Sequence, residues 1–316
     1  MTKPVEFRIL TAGRNWLNIG SALAIGLNGY YSPLGPGSSV TVTTFDPGAA
    51  CMEGPRLVAD GKFDVCMTTP QWYVDMARRG AGRFDAPLPI RALAVFPHDD
   101  LLGIAVRAET GITSIRDIVD NKIPIKLSTP SREMHHPGGY AADVVMEQYG
   151  FSREDIVSWG GTILEDRPRN QNDPKSVPID PSFDMLIDEA IVAPRWKKVA
   201  EAYDLRFLPI EDEILERLGE MGMPTRAIAK DRLKGVDADI KTIDFEGWIL
   251  CCSEDLSDEL GYLVAQALDQ ECEAINARFG PKSGMSSPMD MNKIGRNTPV
   301  PLNPGAEAYY REHGYL

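Results

Sequence analysis

Short apolar or β-branched runs alternate with helical stretches through the first hundred residues, and this alternation limits the fold more than any other feature. Val5–Leu10 alternates apolar and charged residues as a strand does, and a helix is expected from about Gly20 to Tyr30. Ser39–Phe45 is β-branched and alternating, so it reads as a second strand. Cys51–Asp60 reads as a helix closed by Gly61. Phe63–Met67 is a third strand, Gln71–Arg79 a helix and Ile90–Phe96 a fourth strand. Strands that alternate with helices build βαβ units on a mostly parallel sheet.

The same grammar continues, less regularly. Leu102–Arg107, Ile123–Leu127, Phe183–Ile187 and Leu205–Pro209 read as strands, and Glu154–Trp159 is strand-like. Thr113–Ile118, Tyr140–Tyr149, Trp196–Tyr203 and Asp212–Met221 read as helices. Glu165–Asp180 is polar and Pro-rich, which predicts a surface loop. Thr242–Cys252 reads as one long strand and Leu256–Phe279 as a long helical stretch. A chain of 316 residues exceeds one ordinary core, so two lobes are expected.

Composition excludes several functions. A net charge of −13 argues against nucleic acid, whose phosphates need a basic face. No apolar run approaches the roughly 20 residues needed to span a bilayer, so membrane insertion is not expected. The first residues carry no apolar export region, which predicts a cytoplasmic location as written, or a periplasmic one if a leader was removed. The five cysteines, Cys51, Cys66, Cys251, Cys252 and Cys272, lack both disulfide-framework and zinc spacing and read as buried free thiols, which favours a reducing compartment. No nucleophile elbow, phosphate loop or dinucleotide turn is present, and no cofactor is expected.

Several segments, in order, resemble the TAXI family of TRAP-transporter solute receptors. They are Thr11–Gly13 with Gly20–Ala24, Leu57–Pro70, Ile90–Ile118, Cys251–Leu268 and, most closely, Pro301–Gly314. The resemblance spans nearly the whole chain. It implies a type II periplasmic-binding-protein fold, with two Rossmann-like α/β lobes joined by two crossover strands and the ligand in the cleft between them. It places one lobe at residues 1–104 plus 249–316 and the other at 105–248, and it implies hinge closure on a ligand. It also implies a TRAP membrane subunit as partner. The sequence departs from the family pattern at Arg14-Asn15-Trp16, where glycines are usual, and in the insertion near Arg167–Pro181.

In open α/β sheets ligands sit beyond the carboxyl ends of strands. Four such loops carry suitable residues. The first is Thr11–Asn18, where Arg14 offers a fork for a carboxylate, Asn15 and Asn18 donate and accept, and Trp16 can cover an apolar body. N-capping with a packed Trp is the competing reading. The second, with Ala50 and Cys51, admits close backbone approach or is simply a tight turn. The third offers Thr68, Thr69 and the aromatic Trp72, against plain N-capping. The fourth, in the other lobe, offers Ser128, Thr129, Ser131, Arg132, His135 and His136. Asp188 and Glu189 close a strand nearby in sequence, as ligand groups or as caps. Adjacent histidines point apart and no metal-binding spacing supports them, so no metal is expected.

The leading expectation is therefore a receptor for a small organic acid, with an apolar or aromatic body, clamped by Arg14 and Arg132. One alternative is an enzyme on the same fold, a decarboxylase or isomerase of an aromatic or dicarboxylic acid. It would use His135 or His136 with Asp188 and Glu189 to move a proton. A cytoplasmic ligand sensor is the other.

Overall fold

The computed structural model describes residues 3–28, 33–164, 177, 179–189, 191–279 and 285–316. The chain divides into two compact units, residues 1–99 with 246–316 and residues 100–245. The chain thus passes from the first unit to the second and returns once.

The first unit opens with β1 (Glu6–Ala12), α1 (Gly13–Asn28), β2 (Ser39–Phe45), α2 (Pro47–Ala59), β3 (Val65–Thr68), α3 (Gln71–Arg79) and β4 (Ile90–Phe96). The second unit follows with β5 (Gly103–Arg107), α4 (Ile115–Asn121), β6 (Lys126–Ser128), α5 (Pro137–Gln148), α6 (Arg153–Ser158), β7 (Thr162–Leu164) and β8 (Met185–Asp188). It ends with α7 (Pro194–Ala202), β9 (Leu205–Phe207), α8 (Asp212–Glu220) and the β10 (Thr225–Ile228) and β11 (Ile240–Ile243) hairpin. The chain then completes the first unit with β12 (Trp248–Ser253), α9 (Asp258–Gln270), α10 (Cys272–Arg278), α11 (Met291–Ile294) and α12 (Pro304–Glu312).

Each unit is built on a five-stranded sheet, β2-β1-β3-β12-β4 in the first and β7-β6-β8-β5-β9 in the second. In both, one antiparallel strand separates the third position from the fifth: β12 between β3 and β4, β5 between β8 and β9. Both sheets therefore have one topology, with the inserted strand arriving from the other end of the chain.

In the first unit, α1 lays Trp16, Ile19, Leu23 and Leu27 onto the sheet, all buried. That spacing is a helical stripe. Gly26 lets α9 approach closely, since a Cβ there would meet Ala267 at 2.8 Å. At the C-terminus Asn303 caps α12 by accepting from Gly305 N–H at 3.0 Å, and it donates to Leu256 O at 3.0 Å. In the second unit Phe183, Leu186, Trp196 and Phe207 form the core. Gly103 makes room for Trp196, because a Cβ there would meet its ring at 2.5 Å. Each fully buried large apolar side chain contributes about 1.5–3 kcal/mol.

Several expected elements change; α2 starts at Pro47 rather than Cys51, and the stretch expected at Leu256–Phe279 is two helices, α9 and α10. α1 starts at Gly13 rather than Gly20 because its apolar stripe already begins at Trp16. The strand expected at Glu154–Trp159 is the helix α6, started by a capping box between Ser152 and Asp155. The long strand expected at Thr242–Cys252 is broken at Gly247 (φ 82°) into β11 and β12, which belong to different units. The Pro-rich stretch Glu165–Asp180 lies largely outside the described residues.

Candidate functional site

In the first unit β1 runs straight into α1, so the expected loop Thr11–Asn18 is a strand end plus the first turns of a helix. Gly13 takes the left-handed φ of 54° that this sharp passage needs. Thr11 is buried and donates to Thr43 O at 3.2 Å. Trp16 is buried too, edge-on to Trp248 at 6.1 Å, and Trp248 stacks on His98 at 4.7 Å. Asn15 is half-buried, and the Asn18 carbonyl accepts from Arg278 at 3.1 Å. Arg14 stands in the first turn of α1, and its side chain lies outside the described ones.

Ala50 and Cys51 fall in the buried early turns of α2, behind the N-cap Asp46. The Thr68 hydroxyl donates to Cys51 O at 2.7 Å and the Thr69 hydroxyl to Gly247 O at 3.1 Å. Trp72 is buried edge-on to Tyr73 at 6.4 Å. These residues tie the strand ends to one another. A cavity of about 390 Å³ in this unit is lined instead by Gln71, Phe96, Gly247, Asp290, Lys293 and Arg296 among others.

The second unit carries a different set at the matching strand ends. β6 ends in Ser128, followed by Thr129; both are fully buried, and neither hydroxyl has a hydrogen-bond partner among the described residues. Ser131 accepts from Met134 N–H at 3.3 Å and caps a short helical turn. Arg132 does not reach inward. Its guanidinium is exposed and donates to Asp143 at 2.9 Å and Glu154 at 2.5 Å, so it is already neutralised within its own unit. It holds the Glu154 carboxyl down at about 2. His135 is exposed, in the left-handed region at φ 47°.

His136, by contrast, is buried with Asp188 and Glu189, their ligand atoms all within 4.8 Å of one another. Its Nδ1 accepts from Gly138 N–H at 3.1 Å, capping α5, and its Nε2 lies 3.2 Å from Glu189 Oε1. A backbone N–H can only donate, so the ring proton sits on Nε2 and is given to Glu189. Asp188 accepts from Glu189 N–H at 2.9 Å and is ion-paired with buried Arg195. Trp196 donates from Nε1 to Glu189 O at 3.1 Å. Gly138 permits this packing, since a Cβ there would meet Asp188 Oδ1 at 2.6 Å.

Arg195 is the buried arginine of this cluster, and the sequence reading did not single it out. Its signal was present: Pro194 at the first position of α7 marks a helix start, and a cation directly behind it opposes the helix dipole unless an anion waits there. The carboxylate of Asp188 is that anion.

This constellation fits hydrogen bonding better than metal ligation. A metal on His136 Nε2 would leave the ring proton on Nδ1, facing the Gly138 N–H, donor against donor. Arg195 adds a positive charge beside Asp188. Both His136 nitrogens are engaged inside this cluster, Nδ1 by Gly138 N–H and Nε2 by Glu189.

Similarity to known proteins fits this architecture. The model of the NMT1-like family matches residues 11–314. XAC2383 from Xanthomonas citri, solved bound to chloride ion, is 11% identical with 98% of this chain and 99% of that chain covered, at TM-score 0.53. PhnD1 from Prochlorococcus marinus, solved in complex with methylphosphonate, is 8% identical, covers 99% and 100% and has TM-score 0.49. A TctC solute binding protein from Polaromonas is 12% identical, covers 100% and 97% and has TM-score 0.47. No curated protein matches the chain. The fold is that of the type II periplasmic binding proteins, two α/β units with the chain crossing between them twice.

Proposed function

Because the chain belongs to the NMT1-like family, we propose that it is a solute receptor for a small organic anion. It is of the TAXI type and serves a TRAP membrane subunit. The ordered segment resemblance, ending in Pro301–Gly314, supports the subtype. One observation carries the binding role: Ser128 and Thr129 hold fully buried hydroxyls, with no partner among the described residues, at the carboxyl end of β6. Buried polar groups are almost always satisfied, and an unsatisfied one costs about 1–3 kcal/mol. A ligand oxygen is the natural acceptor for two hydroxyl donors at a strand end. In the first unit, Arg14 in the opening turn of the long helix α1 supplies the positive charge for a carboxylate.

Two parts of the earlier expectation drop out of this reading. Arg132 is held by Asp143 and Glu154, so it does not clamp the acid. Trp16 and Trp72 are buried in the first unit, so they give no reason to expect an aromatic ligand. Among the described residues no helix is long and apolar enough to cross a membrane.

The test is a thermal-shift panel of mono- and dicarboxylates, followed by native mass spectrometry of the complexes. One class of acid should raise the melting temperature. Arg14→Ala should weaken that acid by about tenfold or more, the equivalent of one charge-assisted hydrogen bond. The acid should be recovered unchanged after long incubation. Conversion of the acid would replace the receptor reading with an enzyme one, and a uniformly flat panel would end it.

A further inference from the structure

The first unit is assembled from two distant pieces of chain, and one pair of side chains joins them at the centre of the sheet. β3 and β12 are antiparallel neighbours, and Cys66 stands directly opposite Cys251 in their register. The two sulfurs are 3.2 Å apart and both residues are fully buried. Directly opposed residues of an antiparallel pair have Cα atoms about 4.5–5.5 Å apart, within the range a disulfide spans. The covering helix α2 leaves room at this point with a glycine: a Cβ on Gly54 would meet Cys66 Sγ at 3.1 Å.

We propose that Cys66 and Cys251 are an oxidation site, joined as a cross-strand disulfide when the chain folds in the presence of an external disulfide oxidant. The chemistry is thiol–disulfide exchange. The thiolate of one cysteine attacks the external disulfide, forms a mixed disulfide and expels one thiolate. The thiolate of the other cysteine then attacks the protein sulfur of that mixed disulfide, closes the Sγ–Sγ bond and expels the second thiolate. The protein loses two protons and two electrons, and the oxidant becomes two thiols.

The timing follows from burial. In the finished sheet neither sulfur is reachable, and burial pushes the Cys66 thiol well above its ordinary range, so the folded reduced protein is inert. Exchange is open only until β12 has docked onto β3 and buried both sulfurs. The bond would join two residues 185 positions apart, Cys66 and Cys251, and so fasten the returning segment of the first unit to the departing one. Long closed loops are the ones whose closure most restricts the unfolded chain. Oxidation therefore reports the compartment in which folding took place, and it does so independently of which ligand is bound.

The experiment refolds the reduced, denatured full chain in a glutathione redox couple and, in parallel, with reductant. The expected oxidised product weighs two hydrogens less and yields a linked peptide containing Cys66 and Cys251. Its melting temperature should exceed that of the reduced product by several degrees. Both signs should vanish in Cys251→Ser and persist in Cys252→Ser and in the Cys51→Ser/Cys252→Ser/Cys272→Ser variant, which keeps only the proposed pair. Five free thiols in oxidatively refolded protein with native circular dichroism would overturn the proposal. So would a bond from Cys66 to Cys51 or Cys252.

Discussion

The two units share one sheet topology but put different chemistry at equivalent strand ends. In the first, the third strand β3 ends in Thr68 and Thr69, whose hydroxyls donate to backbone carbonyls of Cys51 and Gly247. In the second, the third strand β8 ends in Asp188 and Glu189, held by Arg195 and His136. The first strand differs in the opposite sense. β1 delivers Thr11, whose hydroxyl is satisfied by Thr43 O, whereas β6 delivers Ser128 and Thr129, whose hydroxyls are not satisfied among the described residues. One backbone plan thus carries a neutral, closed hydrogen-bond set in one unit and a charged, partly open one in the other. Function on such a fold is read from these ends and not from the sheet.

The largest effect expected from this contrast is on the buried ion pair. Arg195→Met leaves Asp188 buried without its guanidinium, and removing one partner of a buried pair costs about 3–5 kcal/mol. Urea melts should show the loss, and hydrogen exchange should place it in β8 and α7 while β3 amides stay protected. A loss below about 1 kcal/mol would mean that Asp188 is solvated or protonated, and the charged description of this end would be wrong.

Gly138→Ala comes next. Its Cβ would meet Asp188 Oδ1 at 2.6 Å and Glu189 N at 3.0 Å, a buried carboxylate and a backbone atom with little freedom to give. Overpacking of this kind costs about 1–3 kcal/mol. The measurement is the same melt. A neutral result would show that α5 sits further from β8 than the described packing allows.

Much of this was legible in the sequence. The β-branched strand Ser39–Phe45 was bounded as it stands in the sheet, because alternation and turn residues agree there. The α/β class followed from the alternation of strands and helices, and the expectation of two lobes from the chain's length. The strand-end residues were harder to assign. Periodicity shows that Trp16 belongs to an apolar stripe only once the helix is allowed to start at Gly13, and an Arg-Asn-Trp run discourages that start. Arg132 and Arg195 look equivalent in the chain. What separates them is tertiary: Asp143 and Glu154 capture the first at the surface, and Asp188 captures the second in the interior. The capping box at Ser152 competes with the Ile156-Val157 pair and Trp159, which suggest a strand.

Hydroxyl deletions sharpen the contrast between closed and open ends. Thr68→Val removes a satisfied bond to Cys51 O, at a cost of about 0.5–1.5 kcal/mol. Ser128→Ala and Thr129→Val remove hydroxyls with no partner among the described residues, so the ligand-free protein should be unchanged or slightly more stable. The same two changes should weaken the bound acid by about tenfold per lost hydrogen bond. Melts with and without the acid separate the two effects. Equal destabilisation by all three variants would erase the distinction between the units.

The smallest effect is electrostatic and confined to the surface of the second unit. Arg132 donates to Glu154 and holds its carboxyl at about 2, against an ordinary 4.5. The folded value is depressed, so the stabilisation is full above the unfolded value and disappears as pH falls from about 4.5 to about 2. Both groups are exposed, so solvent screening limits the contribution to under about 1 kcal/mol. Arg132→Ala should therefore lower stability slightly at neutral pH and flatten the acid limb of the stability curve between those two values, with the difference shrinking in high salt. A difference between variant and parent that stays constant down to pH 2 would show that Arg132 acts through packing of its stem and not through its charge.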